Sequence, residues 1–348
     1  MSQDRIVVPN RVRFTLTGKC NNFCTWCMRK GSEIDQFLDL NLFTTALHTL
    51  GDAGTSTCTL TGGEPTLHPG FSSILAEIAK EERFSSCALV TNGRSFAKEV
   101  PEALLGKTKF HITVSMHGAD EQEYFKNTQA AEGFQQAVRG IRNLVNAGTV
   151  CSMSVVLGPE NLQRKEDFIA LAAELSVQML CFTIGISSID DASYVVDPYG
   201  VVRELPAIAA LCEVRNLKYC FVLSLPWCML EKTFLERMID GRHVMFSCPV
   251  PKGNSVVVKE NGAIALCTHT TSYELASSGE AANILRDSRL FQKFWNSERI
   301  MALREEIDVL RHPACIACEY RGQCRGGCPL WWQFFNFSEV IPQLVEKG

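Results

Sequence analysis

Between residues 11 and about 225 the chain alternates short β-rich runs with stretches of helical periodicity, a pattern that few folds accept. Candidate strands cover 12–17, 58–61, 87–91, 110–115, 151–157 and 179–185. Helical patterns cover about 41–53, 70–82, 97–106, 131–147 and 161–175. Alternation of this kind predicts an α/β fold, a parallel sheet with helices packed outside it. Six such units are too few for a closed eight-stranded barrel but enough for an open, partial (β/α)6 barrel. Right-handed crossovers then put every strand's C-terminal end on one rim, where ligands bind.

The pattern changes after Ser224–Cys228. Residues 255–267 read as a hairpin with Asn261-Gly262 at its turn, the pair best suited to positive φ. A helical stretch at about 288–306 follows, then a cysteine-dense segment and an aromatic tail from Leu330 through Trp331 and Trp332 to Phe335. We place a boundary near 225, giving a barrel over 1–225 and a small α+β cysteine-rich domain over 226–348. At roughly 150 residues per domain, 348 residues accommodate that division.

Sixteen cysteines are the second constraint. The net charge of −4 excludes a strongly basic nucleic-acid face as the main design. No apolar run approaches the ~18 residues of a membrane span, and the first residues lack the charged-then-apolar order of a signal peptide. A cytosolic location is the expectation, and there thiols serve metal or redox chemistry rather than stable disulfides. Three cysteines lie within eight residues (Cys20, Cys24, Cys27) and four within fourteen (Cys315, Cys318, Cys324, Cys328). Cys58, Cys87, Cys151, Cys181, Cys212 and Cys220 fall singly in apolar runs and read as small core residues.

Cys20-x3-Cys24-x2-Cys27 directly follows the first strand. Three thiolates from one loop suit a [4Fe–4S] cube in which each holds one iron and the fourth iron is open. A structural zinc site wants four ligands, and no fourth Cys or His lies nearby in sequence. The spacing, with Trp26 before the third cysteine, resembles the radical S-adenosylmethionine (radical SAM) superfamily. The resemblance implies that the open iron chelates S-adenosylmethionine, and that one electron cleaves its sulfonium to methionine and a 5′-deoxyadenosyl radical. It also implies an electron donor such as flavodoxin or ferredoxin.

A second match is Gly62-Gly63-Glu64-Pro65, after the second strand. Glycines at a strand end let backbone groups come close to a ligand. In the family this segment bonds the amino group of S-adenosylmethionine. Asn92-Gly93, ending the third strand, and Ser115 to Gly118, ending the fourth, resemble positions lining the ribose or the methionine carboxylate. Many relatives carry Asp-Gly where this chain has His117-Gly118, so His117 reads as a hydrogen-bonded structural histidine.

Cys248-x13-Gly262-x4-Cys267 followed by Cys315-x2-Cys318-x5-Cys324-x3-Cys328 resembles the SPASM extension, an auxiliary iron–sulfur domain of many radical SAM enzymes. Six of that pattern's seven cysteines are present. One arrangement completes a first cluster from Cys228 with Cys248, Cys267 and Cys328, leaving Cys315, Cys318 and Cys324 for a second with an open iron. The shorter twitch variant holds one cluster, on Cys248, Cys267, Cys315 and Cys318. A zinc ribbon on the last four cysteines is the competing use of the same residues. The aromatic tail reads as packing over a cluster rather than as a base-stacking platform. Cys181, or Cys228 if it holds no metal, is a candidate hydrogen-atom donor to a substrate radical.

Relatives with this extension act on peptides, sulfatases, sugars and cyclitols. Peptide-acting members often carry a leader-binding domain of roughly eighty residues ahead of the first cluster, whereas Cys20 comes early here. The expectation is a small natural product, sugar- or aminoglycoside-like, that is oxidised or epimerised. A peptide substrate is the alternative within the class. An iron–sulfur electron carrier without radical chemistry is the alternative outside it, and the Gly-Gly-Glu-Pro segment argues against that.

Overall fold

A computed structural model describes residues 6–27, 35–186, 196–245, 248–270, 273–309 and 312–335. The first strand, β1 (Arg11–Thr15), leads through α1 (Leu40–Ala53) to β2 (Thr57–Thr61), and α2 (Phe71–Lys80) leads to β3 (Ser86–Thr91). After β4 (Phe110–Ser115) come α3 (Glu121–Thr128) and α4 (Gly133–Asn146), then β5 (Val150–Leu157), α5 (Pro159–Gln163) and α6 (Lys165–Glu174). The alternation ends with β6 (Met179–Ile184), α7 (Pro198–Val214) and β7 (Tyr219–Val222). The remainder carries α8 (Lys232–Asp240), the strands β8 (Ser255–Val258), β9 (Ile264–Ala265) and β10 (Glu274–Ala276), and the helices α9 (Ser278–Ile284), α10 (Ser288–Trp295), α11 (Glu298–Val309) and α12 (Trp331–Phe334).

The strands form one sheet in the order β10-β9-β8-β1-β2-β3-β4-β5-β6-β7. All pairs from β1 to β7 are parallel, so their C-terminal ends share one rim. One face of the strands is buried in the core, with Phe14, Leu60, Leu89, Val114, Val155 and Phe182 at the centre, while alternate positions such as Arg13, Val90 and Thr113 stay partly exposed. Helix α4 shows how a layer is attached. It buries Ala137, Val138, Ile141 and Leu144 at helical spacing and leaves its charged positions in water. Helix α1 starts where the Asp39 side chain accepts the Leu42 N–H at 2.9 Å, and it ends at Gly54 in the left-handed region, φ 110°.

The six expected strands are present, and so is a seventh, β7, too short to show a period. The hairpin is also present, but it is not separate from the barrel. Its first strand lies parallel to β1, with Arg11 opposite Ser255 and Phe14 opposite Val258. An unpaired edge at β1 would expose a row of backbone donors and acceptors, and β8 covers it. The expected helix at 97–106 does not form. Gly93 turns left-handed and Pro101 interrupts the run, leaving 3₁₀ turns at Arg94–Ala97 and Glu102–Leu104. The run at 161–175 divides at Arg164 into α5 and α6, and the run at 288–306 divides at Asn296 into α10 and α11. Among the described residues no helix is long and apolar enough to cross a membrane.

Candidate functional site

The loop bearing Cys20, Cys24 and Cys27 leaves β1 at the common rim. It is fastened at both ends by main-chain hydrogen bonds. Gly63 N–H donates to Thr17 O and Glu64 N–H to Lys19 O, each at 2.7 Å. Beyond the first cysteine, Phe23 N–H donates to Thr128 O at 2.8 Å and Thr25 N–H to Asn127 O at 3.1 Å. The loop is thus strung between the end of β2 and the end of α3. A Cβ on Gly63 would lie 2.3 Å from Lys19 O and 2.5 Å from Gly18 O, so only glycine allows this approach.

Side chains complete the clamp. The Glu64 carboxylate is buried and accepts from Thr66 N–H, from the hydroxyls of Thr66 and Thr91, and from Asn92 N–H. Asn92 in turn donates through its amide to Asn21 Oδ1 at 2.6 Å. Arg94 donates to Asn21 O and to Asn22 Oδ1, and Asn22 donates to the Tyr124 hydroxyl at 3.1 Å. Asn127 donates to His117 O at 2.7 Å, tying the β4 rim to the same platform. Ser115 ends β4 opposite Ser154 of β5.

The three thiols interact electrostatically. Burial pushes the Cys20 thiol up to about 11, with Glu64 and Cys27 adding to the rise and the Asn22 N–H opposing it. Burial also raises Cys24, helped by Cys27 and Cys20. Three desolvated thiolates repel one another, and a positively charged metal core relieves that repulsion while releasing their protons. Among the described residues, no three His, Cys, Asp or Glu side chains are gathered closely enough to hold a single metal ion. Three thiolates on one loop, each able to bind a different iron, are the donor set that a four-iron cube with one open iron takes.

Trp26 packs its ring 5.5 Å from that of His117, which lies 6.0 Å from Tyr124. The expectation of a hydrogen-bonded His117 is corrected at one atom. Its buried Nδ1 has no hydrogen-bond partner among the described residues, and burial lowers its pKa to about 4. The aromatic ring contacts, rather than a polar partner at Nδ1, hold it in place.

The six cysteines read as core are all buried. Cys181, opposite Cys220 in the β6–β7 register, accepts that thiol's S–H at 3.3 Å. The C-terminal cysteines fall into two neighbourhoods. Cys228, on a 3₁₀ turn at Trp227–Met229, has Cys324, Cys315 and Cys318 as its electrostatic neighbours. Cys328 has Cys248 and Cys267. Trp331 is buried beside these loops and donates its indole N–H to Ser224 Oγ at 2.9 Å.

Sequence reading missed Asn21, Asn22, Arg94, Tyr124 and Asn127. Arg94 follows the Asn92-Gly93 turn directly, and that position was its only local signal.

Residues 14–172 match the model of the Radical SAM superfamily. A GTP 3′,8-cyclase of Haemophilus influenzae (strain PittEE) is 30% identical over 191 residues, 51% of this chain and 56% of that one. A probable GTP 3′,8-cyclase of Metallosphaera sedula is 24% identical over 314 residues, 86% of this chain and 89% of that one. The chain spans about half the length of the first of these relatives. Among solved structures, anSMEcpe with bound AdoMet superposes with a TM-score of 0.70 at 15% identity, covering 97% of this chain and 94% of that one. Streptococcus suis SuiB bound to S-adenosylmethionine gives 0.68 at 14%, covering 93% and 74%. At such identities the likeness is one of fold.

Proposed function

Residues 14–172 form a radical SAM domain, and from that premise we propose a hydrogen-abstracting enzyme acting on a small natural product. With its [4Fe–4S] cluster and S-adenosylmethionine bound, the site supplies a 5′-deoxyadenosyl radical that takes a hydrogen atom from the substrate. The substrate is sugar- or aminoglycoside-like and is oxidised or epimerised. The observation that carries the reading is the docking of the cysteine loop onto the Gly62–Glu64 backbone, which presents Cys20, Cys24 and Cys27 at the ligand-binding rim.

In this reading Cys20, Cys24 and Cys27 hold the cluster, and Trp26 walls the site against His117. Glu64 orients: its carboxylate is occupied by protein donors, so contact with the cofactor's ammonium falls to the carbonyls of Gly62, Gly63 and Pro65. Asn92 and Ser115 line the far wall. Residues 1–225 form the catalytic barrel and 226–348 an auxiliary half that holds one or two further iron–sulfur centres. A flavodoxin- or ferredoxin-type donor supplies the electron. Cys181, shielded beside Cys220, is the candidate hydrogen-atom donor for an epimerisation.

A small substrate is supported by the curated relatives, which are named for a reaction of a nucleotide, GTP. A peptide is the second reading, favoured by the fold likeness to SuiB, solved also with its precursor peptide. Anaerobic incubation with dithionite, S-adenosylmethionine and a panel of deuterated sugars, aminocyclitols, GTP and peptides tests both. Transfer of deuterium into 5′-deoxyadenosine identifies the substrate class, and solvent deuterium in the product marks an epimerase. Failure to form 5′-deoxyadenosine from reduced, cluster-loaded protein would overturn the proposal.

A further inference from the structure

We propose that Cys228 is the fourth thiolate of an auxiliary centre held with Cys315, Cys318 and Cys324, and that Cys248, Cys267 and Cys328 form a separate three-thiolate centre. The inference rests on the iron–sulfur reading above and assigns ligands that the motif spacing pairs differently.

The carrying observation is how the segment after β7 is threaded through the C-terminal cysteine loop. Ser224 O accepts the Cys328 N–H at 2.7 Å. Trp227 N–H donates to Cys324 Sγ at 3.3 Å, which brings the next residue, Cys228, to the same sulfur's side. The Trp227 ring stands 6.2 Å from that of Tyr320, between Cys318 and Cys324. Gly327 closes the fit. At φ +77° its Cβ position would fall 2.6 Å from Ser224 O and 2.7 Å from Leu225 C, so a side chain there would push the segment out of the loop.

Cys324 and Cys328 meet this segment differently, Cys324 through its sulfur at the Trp227 N–H and Cys328 through its own N–H at Ser224 O. Cys324 faces the turn bearing Cys228. Cys328 lies within electrostatic reach of Cys248 and Cys267. The neighbours agree with this geometry: Cys228 lies within electrostatic reach of Cys324, Cys315 and Cys318. Cys315 also acts on Cys324. Four thiolates satisfy every iron of a cube, while three leave one iron for a ligand from outside this group. The open position therefore belongs to the Cys248 centre and not to the Cys315 centre.

The test counts iron and acid-labile sulfide in full-length protein reconstituted anaerobically. A background with Cys20, Cys24 and Cys27 changed to Ser removes the first centre, so auxiliary iron is measured alone. We expect about eight iron per chain there, about four for each cube. Cys228→Ala loses the iron of one centre or shows an oxidised three-iron EPR signal. Adding Cys318→Ala removes nothing beyond that centre, because two lesions in one site are not additive. Adding Cys248→Ala removes the iron of both. Cys228→Ser, with native far-UV circular dichroism, retains iron with an altered EPR spectrum and separates ligation from misfolding. The assignment is overturned if Cys228→Ala keeps its iron and spectrum. It is equally overturned if Cys228→Ala is additive with Cys318→Ala and not with Cys248→Ala. A background protein with no iron or sulfide overturns the auxiliary iron–sulfur reading itself, a distinguishable result.

Discussion

The Glu64 carboxylate receives the Asn92 backbone N–H at 2.7 Å, joining the end of β2 to the end of β3 beneath the cysteine loop. One oxygen takes Asn92, and the other takes the Thr66 N–H and the hydroxyls of Thr66 and Thr91. Both oxygens must accept a backbone donor, a demand that only a carboxylate meets. Glu64→Gln turns one acceptor into an N–H₂ group facing an N–H. A buried donor left unsatisfied costs about 1–3 kcal/mol. We expect that loss in urea melts of apo-protein, with slower cluster loading at Cys20, Cys24 and Cys27.

Gly63 is the steric counterpart of this clamp. A methyl group there meets two main-chain oxygens, of Gly18 and Lys19, neither of which can rotate away. Overpacking of this kind costs about 1–3 kcal/mol. Relief requires lifting the cysteine loop from the β2 rim. Gly63→Ala is therefore expected to deplete iron from the first centre while sparing the auxiliary centres. Iron analysis with EPR of the reduced clusters distinguishes the two losses.

The barrel was legible because its six strands carry local signals, apolar runs separated by helical periods. What escaped was held by long-range contacts. Helix α3, Glu-Gln-Glu-Tyr-Phe-Lys-Asn-Thr, is polar nearly all round and shows no apolar stripe, yet its end supplies the Asn127 and Thr128 carbonyls that seat the cysteine loop. The pairing of β8 with β1 joins residues more than two hundred positions apart, a relationship that no periodicity records. Motif spacing located the C-terminal cysteines, but the contact of Ser224 and Trp227 with the Cys324–Cys328 loop lies outside the motif.

His117 gives a pH signature. Its pKa is lowered by burial from the usual 6.5 to about 4 in the folded chain. Above pH 6.5 it is neutral in both states and contributes no slope. Between 6.5 and 4 the unfolded chain takes up the proton first, so stability falls as pH falls. Below 4 both states are charged, and the accumulated loss levels at about 3 kcal/mol, at 1.36 kcal/mol per pKa unit. His117→Leu should remove that component. The difference between variant and wild-type unfolding free energies is expected to grow from pH 6.5 to pH 4 and then to stay constant. A flat difference would place the imidazole in a solvated setting.

Arg13 lies on β1, where its guanidinium donates to Thr268 Oγ1 at 3.1 Å and feels the adjacent Cys267. Burial lowers its pKa while the Cys267 thiolate opposes that change. A cation beside a thiolate ligand stabilises the more negative, reduced form of the centre that the ligand holds. Removing it makes reduction harder. Arg13→Met keeps much of the aliphatic stem and deletes the charge, so packing changes little. We expect the midpoint potential of the Cys267 centre to fall by about 60 mV, a tenfold change for one electron. The Cys20 centre and the Cys228 centre, whose thiols have other electrostatic neighbours, should hold their potentials. An EPR-monitored redox titration resolves the three, and a shift confined to either of the other centres would place Arg13 against the wrong one.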